Sequence, residues 1–223
     1  MKELNKKILA IDLILIVGSL LIIASLVGYS RPLVIAPIDD LQTTNNSILF
    51  SFEKADVILF CSPNNPTGAV ANRKQLTQLV EFARKNKSII IFDAAYSEYI
   101  SRDLPKSIFE IEGAKEVAIE VNSLSKPVGF TGVRLGWTVI PNELKFDDGT
   151  SVKDDWNRVM TTLFNGASNV AQRGALAALD DDGIKEMKQT TSYYMENAKI
   201  IKEGLESLDF EVYGGAKHLQ PIN

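Results

Sequence analysis

The clearest chemical signal in this sequence is a lysine that follows an apolar run, in Ser123-Leu124-Ser125-Lys126. A lysine held in a pocket has a lowered pKa, and its neutral amine can attack a carbonyl to form a Schiff base. The two serine hydroxyls and the backbone amides beside them could bind phosphate oxygens. Because most lysines are solvated surface charges, this stretch alone leaves an ordinary surface lysine open.

The carboxylate of Asp93, in Phe92-Asp93-Ala94-Ala95-Tyr96, also follows an almost wholly apolar run. Burial disfavours the charged form of a carboxylate unless a cation or a hydrogen-bond donor lies nearby. A protonated ring nitrogen would be such a partner. The alternative is that Asp93 caps a following helix through backbone N–H groups.

Two further stretches combine turn formers with groups that bind small molecules. Asn65 lies in the turn Ser62–Gly68, where its amide could face a ligand at the carboxyl end of a parallel strand. A plain turn explains the same residues. Within Gly129–Arg134, the glycines permit close backbone approach and Arg134 could bind a phosphate in a bidentate manner, a surface salt bridge being the alternative.

Strands and helices alternate after Asp56, and this alternation predicts how the four stretches are positioned. We expect strands at Val57–Cys61, Ser88–Phe92, Glu116–Asn122 and Leu135–Ile140, with shorter candidates at Leu33–Ala36, Ile48–Phe52 and Phe210–Tyr213. We expect helices after Asn72, whose capping-box partner is Gln75, and at Val152–Leu163, Asn169–Leu179 and about Ile184–Leu208. The predicted fold class is α/β, a mostly parallel sheet with helices on both faces.

Composition limits the classes of function. Apolar residues make up 45% of the 223 residues and charged residues 23%, which is typical of a globular protein. The formal net charge of −4 gives no electrostatic reason to expect nucleic acid as a partner. With one cysteine and one histidine, the chain has neither a disulfide framework nor a metal site built from several such ligands.

The N-terminal segment has a different composition from the rest. After three lysines, residues 8–29 are apolar with Asp12 as their single charge, and Arg31 and Pro32 follow. A helix of about twenty apolar residues can cross a bilayer, so we expect a membrane-spanning or signal-anchor helix within residues 1–31. A buried core helix and a cleaved signal peptide are the alternatives.

Taken in order, the four stretches resemble the fold-type I pyridoxal-phosphate aminotransferases, and most closely the LL-diaminopimelate aminotransferases. The resemblance extends from about Asp56 to Ala216. It is carried by the segments CSPNNPTGAV, IIFDAAYSEYI, SIFEIEGAKEVAIE, SLSK, GFTGVR and FNGASN.

This resemblance implies pyridoxal 5'-phosphate as the cofactor and a role for each residue at the site. Lys126 would form the Schiff base with the cofactor and later move a proton at the substrate's Cα. Asp93 would keep the pyridine nitrogen protonated. Asn65 and Tyr96 would hydrogen-bond the ring's O3′ oxygen. Phosphate contacts are implied for Ser123, Ser125 and Arg134, and substrate contacts for Asn65 and, near a dimer interface, Asn165.

The implied reaction is a transamination between LL-2,6-diaminopimelate and 2-oxoglutarate in lysine biosynthesis, carried out by a homodimer in the cytoplasm. One alternative is a catalytically inactive, membrane-tethered fragment or interaction module of aminotransferase descent. Another is a different member of the superfamily, such as an alanine transaminase or a C–S lyase.

The sequence also departs from the family pattern. We interpret residues 1–31 as the membrane segment, 32–55 as a connecting segment, 56–150 as part of the cofactor-binding large domain and 151–223 as a helical continuation into a truncated small domain. The expected glycine-rich phosphate loop and the arginine for the substrate carboxylate are not found, so we expect an incomplete domain. Pro127 follows Lys126 and favours an extended geometry there.

Overall fold

The computed structural model describes residues 34–35, 42–44, 47–49, 55–65, 67–100 and 103–212. The apolar segment at residues 8–29 lies outside these residues, and so does the membrane helix that we predicted there. Among the helices that are described, none is both long and apolar enough to span a bilayer.

The described strands form two sheets. They are β1 (Val34–Ile35), β2 (Gln42–Thr44), β3 (Ser47–Leu49), β4 (Val57–Cys61), β5 (Ile89–Asp93), β6 (Ala118–Ser123) and β7 (Gly136–Val139). The main sheet has the order β1-β4-β5-β6-β7, while β2 and β3 form a separate antiparallel pair. Strands β1, β4, β5 and β6 run parallel and β7 pairs antiparallel with β6, so the predicted mostly parallel sheet is confirmed.

One of the shorter strand candidates is wrong. The predicted strand at Phe210–Tyr213 does not form over residues 210–212, and Tyr213 lies outside the described residues. Extended residues become a strand only when a neighbouring strand accepts and donates their backbone hydrogen bonds. No described residue pairs with this segment in that way.

The described helices follow the predicted positions closely. They are α1 (Arg73–Asn86), α2 (Val152–Leu163), α3 (Asn169–Ala178) and α4 (Asp181–Glu206). The capping box of α1 is confirmed, because Asn72 accepts a hydrogen bond from the Gln75 N–H and the Gln75 side chain accepts one from the Asn72 N–H. Helix α4 starts earlier than predicted because Asp180 caps it by accepting the Gly183 N–H.

Alternating strand residues face two apolar layers. On one face of the sheet, Phe60 and Phe92 pack in the same buried cluster as Leu76 and Leu79 of α1. On the other face, Ile119 of β6 belongs to a cluster with residues at the start of α2 and in the loop before it (Leu144, Phe146, Val152 and Trp156). Helices therefore cover both faces of the sheet, as predicted.

The register of the parallel strands brings the chemically interesting loops to one edge. Cys61 is opposite Asp93, and Asp93 is opposite Val121. The carboxyl ends of β4, β5 and β6 consequently lie side by side, and each is followed by one of the stretches singled out in the sequence. This edge is where open α/β sheets bind their ligands.

Candidate active site

The predicted reactive lysine lies beside an aromatic ring. The Nζ atom of Lys126, in the loop after β6, is 5.5 Å from the centre of the Tyr96 ring in the loop after β5. Both residues are half-buried. At this distance an ammonium group is attracted to the face of the ring, so the aromatic side chain helps to hold the amine in place. The structure thus brings together two of the predicted site residues.

Asp93 ends β5 with a half-buried carboxylate. Its Oδ1 atom accepts a hydrogen bond from the Ala95 N–H at 3.0 Å, and its main-chain oxygen accepts one from the Ser62 N–H at 3.1 Å. The 3₁₀ helix that follows, Ser97–Tyr99, has Tyr96 as its N-cap with no side-chain cap. Asp93 is therefore not a helix cap, and within the described residues no group donates to its Oδ2 atom.

The two serines and the arginine converge after β6. The Ser123 hydroxyl accepts the Ser125 N–H at 3.1 Å. Arg134 donates from Nη1 to the Ser125 hydroxyl at 3.4 Å and to the Thr131 main-chain oxygen at 3.0 Å. The Arg134 guanidinium is thereby fixed over this loop while the residue stays exposed. A cation and two hydroxyls in one loop are suitable ligands for a phosphate group.

The turn after β4 presents Asn65 at its exposed tip. Its geometry is set by the neighbours, since the Asn64 side chain donates to the Thr67 hydroxyl at 3.0 Å and the Gly68 N–H donates to the Asn64 main-chain oxygen at 2.7 Å. Gly68 has a φ of 72°, which is unfavourable for residues with a side chain. The Ser62 hydroxyl accepts the Ala71 N–H and anchors the turn to the sheet.

The sequence analysis missed three residues of this site. The Tyr99 hydroxyl donates to the main-chain oxygen of Lys126 at 3.1 Å, and the Thr131 hydroxyl donates to that of Ser125 at 2.9 Å. Cys61 lies beside Asp93 at the end of β4. For Tyr99, the available signal was its spacing of three from Tyr96, which places both residues on one side of a 3₁₀ turn.

Asn165 is separate from this cluster. It follows α2 in the left-handed conformation with a φ of 60°, and its side chain is exposed. Among the described residues, none of the groups around Lys126 forms a hydrogen bond with it. Its contact with substrate near a dimer interface therefore stays a prediction.

An α/β fold with a lysine, a carboxylate and a phosphate-type cradle at one edge of a parallel sheet is typical of the aminotransferases. The sequence matches the family Aminotransferase class I and II over residues 36–223, and the chain belongs to this family.

Several relatives within the family carry a more specific name. The chain is 57% identical to LL-diaminopimelate aminotransferase of Protochlamydia amoebophila over 168 residues, which are 75% of this chain and 41% of that protein. It is 59% identical to the chloroplastic LL-diaminopimelate aminotransferase of Arabidopsis thaliana over 162 residues, 73% of this chain and 35% of that protein. The chain thus spans well under half of the length of these curated relatives.

A solved structure supports the same relationship. The L,L-diaminopimelate aminotransferase of Chlamydomonas reinhardtii superimposes with a TM-score of 0.73 at 55% sequence identity. The match covers 83% of this chain and 45% of that chain. The fold described above is therefore also the fold of a substantial part of this relative.

The donor set fits pyridoxal 5'-phosphate, the cofactor of fold-type I aminotransferases. Lys126 would supply an amine for an aldehyde, and the Oδ2 atom of Asp93 would supply an anion for a protonated ring nitrogen. Ser125 and Arg134, already in contact with each other, supply a hydroxyl and a cation for a phosphate. These three functions occupy loops at the same sheet edge.

Proposed function

We propose that this chain forms part of a pyridoxal-phosphate transaminase that transfers an amino group between LL-2,6-diaminopimelate and 2-oxoglutarate in lysine biosynthesis. The proposal depends on one observation above all: the Lys126 amine lies over the ring of Tyr96. Tyr96 itself follows Asp93 by three residues. The choice of substrate is supported by the 57% identity to the Protochlamydia amoebophila protein of that name.

Lys126 acts as the proton carrier in this proposal. When bound, pyridoxal phosphate would supply an aldehyde and an electron-withdrawing ring that stabilises negative charge at the substrate's Cα. The amine of Lys126 would accept the proton from Cα and deliver it to the cofactor's C4′ carbon, and it would move a proton in the opposite direction in the second half of the transamination. Its place over Tyr96 keeps it close to the loop that carries Asp93.

Asp93 keeps the ring nitrogen protonated. The Ala95 N–H donates to Oδ1 of Asp93 and so fixes the orientation of the carboxylate. The Oδ2 atom is therefore held in one direction, because the side chain does not rotate freely. A negative charge beside the nitrogen favours its protonated form. Tyr96 and Asn65, from the adjacent loops, are placed in this proposal to donate hydrogen bonds to the ring's O3′ oxygen.

The loop after β6 anchors the cofactor's phosphate. Arg134 binds the anion, while Ser123 and Ser125 contribute hydroxyls, and Ser125 is already connected to both of the others. Fixing the phosphate also fixes the distance between the ring and Lys126, because all four residues belong to one short loop and the strand before it. The homodimer, the cytoplasmic location and the membrane anchor through residues 8–29 stay predictions.

The test begins with the covalent link. Purified protein mixed with pyridoxal phosphate should develop a visible absorption band, and borohydride reduction followed by peptide mass spectrometry should place the cofactor on Lys126. Lys126→Ala should abolish both signals. Lys188→Ala, which removes an exposed lysine of α4, is the matched control and should keep both. Covalent labelling that persists in Lys126→Ala would refute the role of this lysine.

The second arm tests the reaction. Loaded protein is incubated with LL-2,6-diaminopimelate and 2-oxoglutarate, and the glutamate formed is measured. We expect glutamate to form with this pair and Lys126→Ala to form none. Labelling of Lys126 without any glutamate would instead indicate the inactive fragment, and glutamate formed from alanine but not from diaminopimelate would indicate a different transaminase.

A further inference from the structure

One hydrogen bond joins the lysine loop to the carboxylate loop. The Tyr99 hydroxyl donates to the main-chain oxygen of Lys126 at 3.1 Å, across a sequence separation of 27 residues. Tyr99 ends the 3₁₀ helix Ser97–Tyr99, which directly follows Tyr96. The bond therefore connects the segment after β5 with the segment after β6.

The neighbouring carbonyls of the lysine loop are satisfied differently. The Leu124 oxygen accepts the N–H groups of Val128 and Phe130 at 3.3 and 3.2 Å. The Ser125 oxygen accepts the Thr131 hydroxyl at 2.9 Å. These donors all belong to the same loop, whereas the Lys126 oxygen accepts a donor from another part of the chain. Among the described residues, Tyr99 thus provides the one hydrogen bond by which the main chain of Lys126 is held from outside its own loop.

Pro127 makes this external bond more important. Proline has no N–H, so the residue after Lys126 cannot donate a hydrogen bond to stabilise the loop. The extended geometry that this proline predicts for Lys126 is wrong, because Lys126 lies in a turn closed by the Val128 N–H, which donates to the Leu124 oxygen. A side-chain donor on the Lys126 carbonyl can fix the orientation of that peptide group and, with it, the direction in which the lysine side chain leaves the backbone.

The ring of Tyr99 contacts the ring of Tyr96, which lies beside the Lys126 amine. Its centre is 6.2 Å from that of the Tyr96 ring, with an angle of 47° between the planes. The Tyr96 ring in turn lies 5.5 Å from the Lys126 Nζ atom. Tyr99 therefore contacts Tyr96 through its ring and Lys126 through its hydroxyl.

We propose that Tyr99 is a positioning residue that fixes the amine of Lys126 relative to Tyr96 and Asp93. Its effect on turnover rests on the proposed function, whereas its effect on the loop does not. Burial of the phenol, with smaller contributions from the nearby Tyr194 and Tyr96, raises the pKa of Tyr99. The hydroxyl is consequently protonated and able to donate throughout the neutral pH range.

The first test needs no cofactor. Tyr99→Phe keeps the ring and removes only the hydroxyl, and Tyr193→Phe removes the hydroxyl of an exposed tyrosine of α4 as the matched control. Amide hydrogen exchange followed by mass spectrometry is compared over residues 124–134. We expect about fivefold faster exchange in Tyr99→Phe, the change that corresponds to the loss of one net hydrogen bond, and no change in Tyr193→Phe. Equal exchange in wild type and Tyr99→Phe would overturn the proposal.

The second test uses the loaded protein. In Tyr99→Phe we expect the link to Lys126 to form, the pH at which its visible band titrates to shift, and kcat to fall about fivefold with KM nearly unchanged. Circular dichroism melting of both variants confirms that they are folded. A band that titrates as in wild type, with unchanged kcat, would overturn the positioning role and leave the proposed function standing. Absence of the band in wild type would refute the proposed function, and hydrogen exchange would still decide the role of Tyr99.

Discussion

Cys61 and Asp93 are register partners at the carboxyl ends of β4 and β5, so a thiol lies directly beside the carboxylate of the candidate site. Burial and, next, the charge of Asp93 raise the pKa of Cys61 to about 12, although a hydrogen bond from the Asn65 backbone lowers it. The thiol donates to the Pro63 main-chain oxygen at 3.2 Å. Cys61 is thus a neutral donor that does not add a second negative charge next to Asp93.

This relationship predicts that the Cys61 thiol reacts slowly with alkylating reagents. Cys61 is the one cysteine of the chain, so alkylation by iodoacetamide reports on it alone. Because the thiolate is the reactive form, we expect alkylation of the folded protein at pH 8 to be at least about a hundredfold slower than in urea. Asp93→Asn removes the charge and should accelerate the reaction. Equal rates in the folded and unfolded protein would contradict a raised pKa.

Replacing Asp93 by Asn removes the negative charge of the side chain but keeps its size and shape. The amide oxygen can still accept the Ala95 N–H, so the fold and the covalent link to Lys126 should be retained. Loss of the anion should lower turnover by about a hundredfold or more, because the ring nitrogen is no longer held protonated. Glutamate formation and borohydride labelling measure the two effects. Asp103→Asn, on an exposed carboxylate, is the control, and wild-type turnover in Asp93→Asn would disprove the assigned role.

Much of the fold could be predicted because its signals are local. The apolar run Val57–Cys61 matches β4 at both ends, and the Asn72 and Gln75 pair marks the start of α1 as a capping box. Local patterns do not encode strand direction, however, and the antiparallel orientation of β7 depends on its pairing with β6. The apolar alternation of Phe210–Tyr213 similarly favoured a strand for which no described partner is present.

The candidate site was predictable to the extent that its residues end strands. Asp93 and the serines around Lys126 follow apolar runs, and the parallel sheet brings those ends together. The supporting contacts were not predictable, since the bond from Tyr99 to Lys126 joins two loops that are distant in sequence. Apart from its spacing of three from Tyr96, Tyr99 has no property in the sequence alone that distinguishes it from an ordinary surface tyrosine.

Gly136, next to the site, lies where the neighbouring strand leaves no room for a side chain. It is paired with Ser123, and a Cβ atom at this position would lie 2.6 Å from the main-chain oxygen of Asn122. Gly136→Ala should therefore push β7 away from β6 and lower the free energy of unfolding by about 1–3 kcal/mol, as measured by urea denaturation. The shift should also weaken cofactor binding, because β6 leads directly into the Ser123–Lys126 loop.

A second glycine supplies the control for that experiment. Gly204 lies within α4, and a Cβ atom there would meet nothing within 4 Å. Gly204→Ala should raise the free energy of unfolding by up to about 1 kcal/mol, since alanine favours the helix. If Gly136→Ala proved as stable as wild type, the close approach of β6 and β7 would not constrain this position.

Glu110 connects the start of α1 to the 3₁₀ helix Ile108–Glu110. Its Oε2 atom accepts Arg73 Nη2 at 3.0 Å, and its Oε1 atom accepts the N–H groups of Lys106 and Ser107 at 2.8 and 3.3 Å. Burial alone would raise the pKa of Glu110, but these backbone donors and Arg73 together lower it below the usual value. The carboxylate therefore stabilises the fold above the pKa of the unfolded state, and this contribution is lost as the pH falls through the lower, folded-state pKa.

Glu110→Gln should consequently have an effect that depends on pH. At pH 7 we expect a lower free energy of unfolding by no more than about 1 kcal/mol, because Arg73 and Glu110 are largely exposed. Near pH 2.5 the wild-type carboxyl is increasingly protonated, and the difference between the two proteins should shrink. Urea denaturation at both values measures this, with Glu143→Gln on an exposed carboxylate as the control. A difference of the same size at both pH values would show that the charge of Glu110 does not contribute, and that the side chain acts through its shape alone.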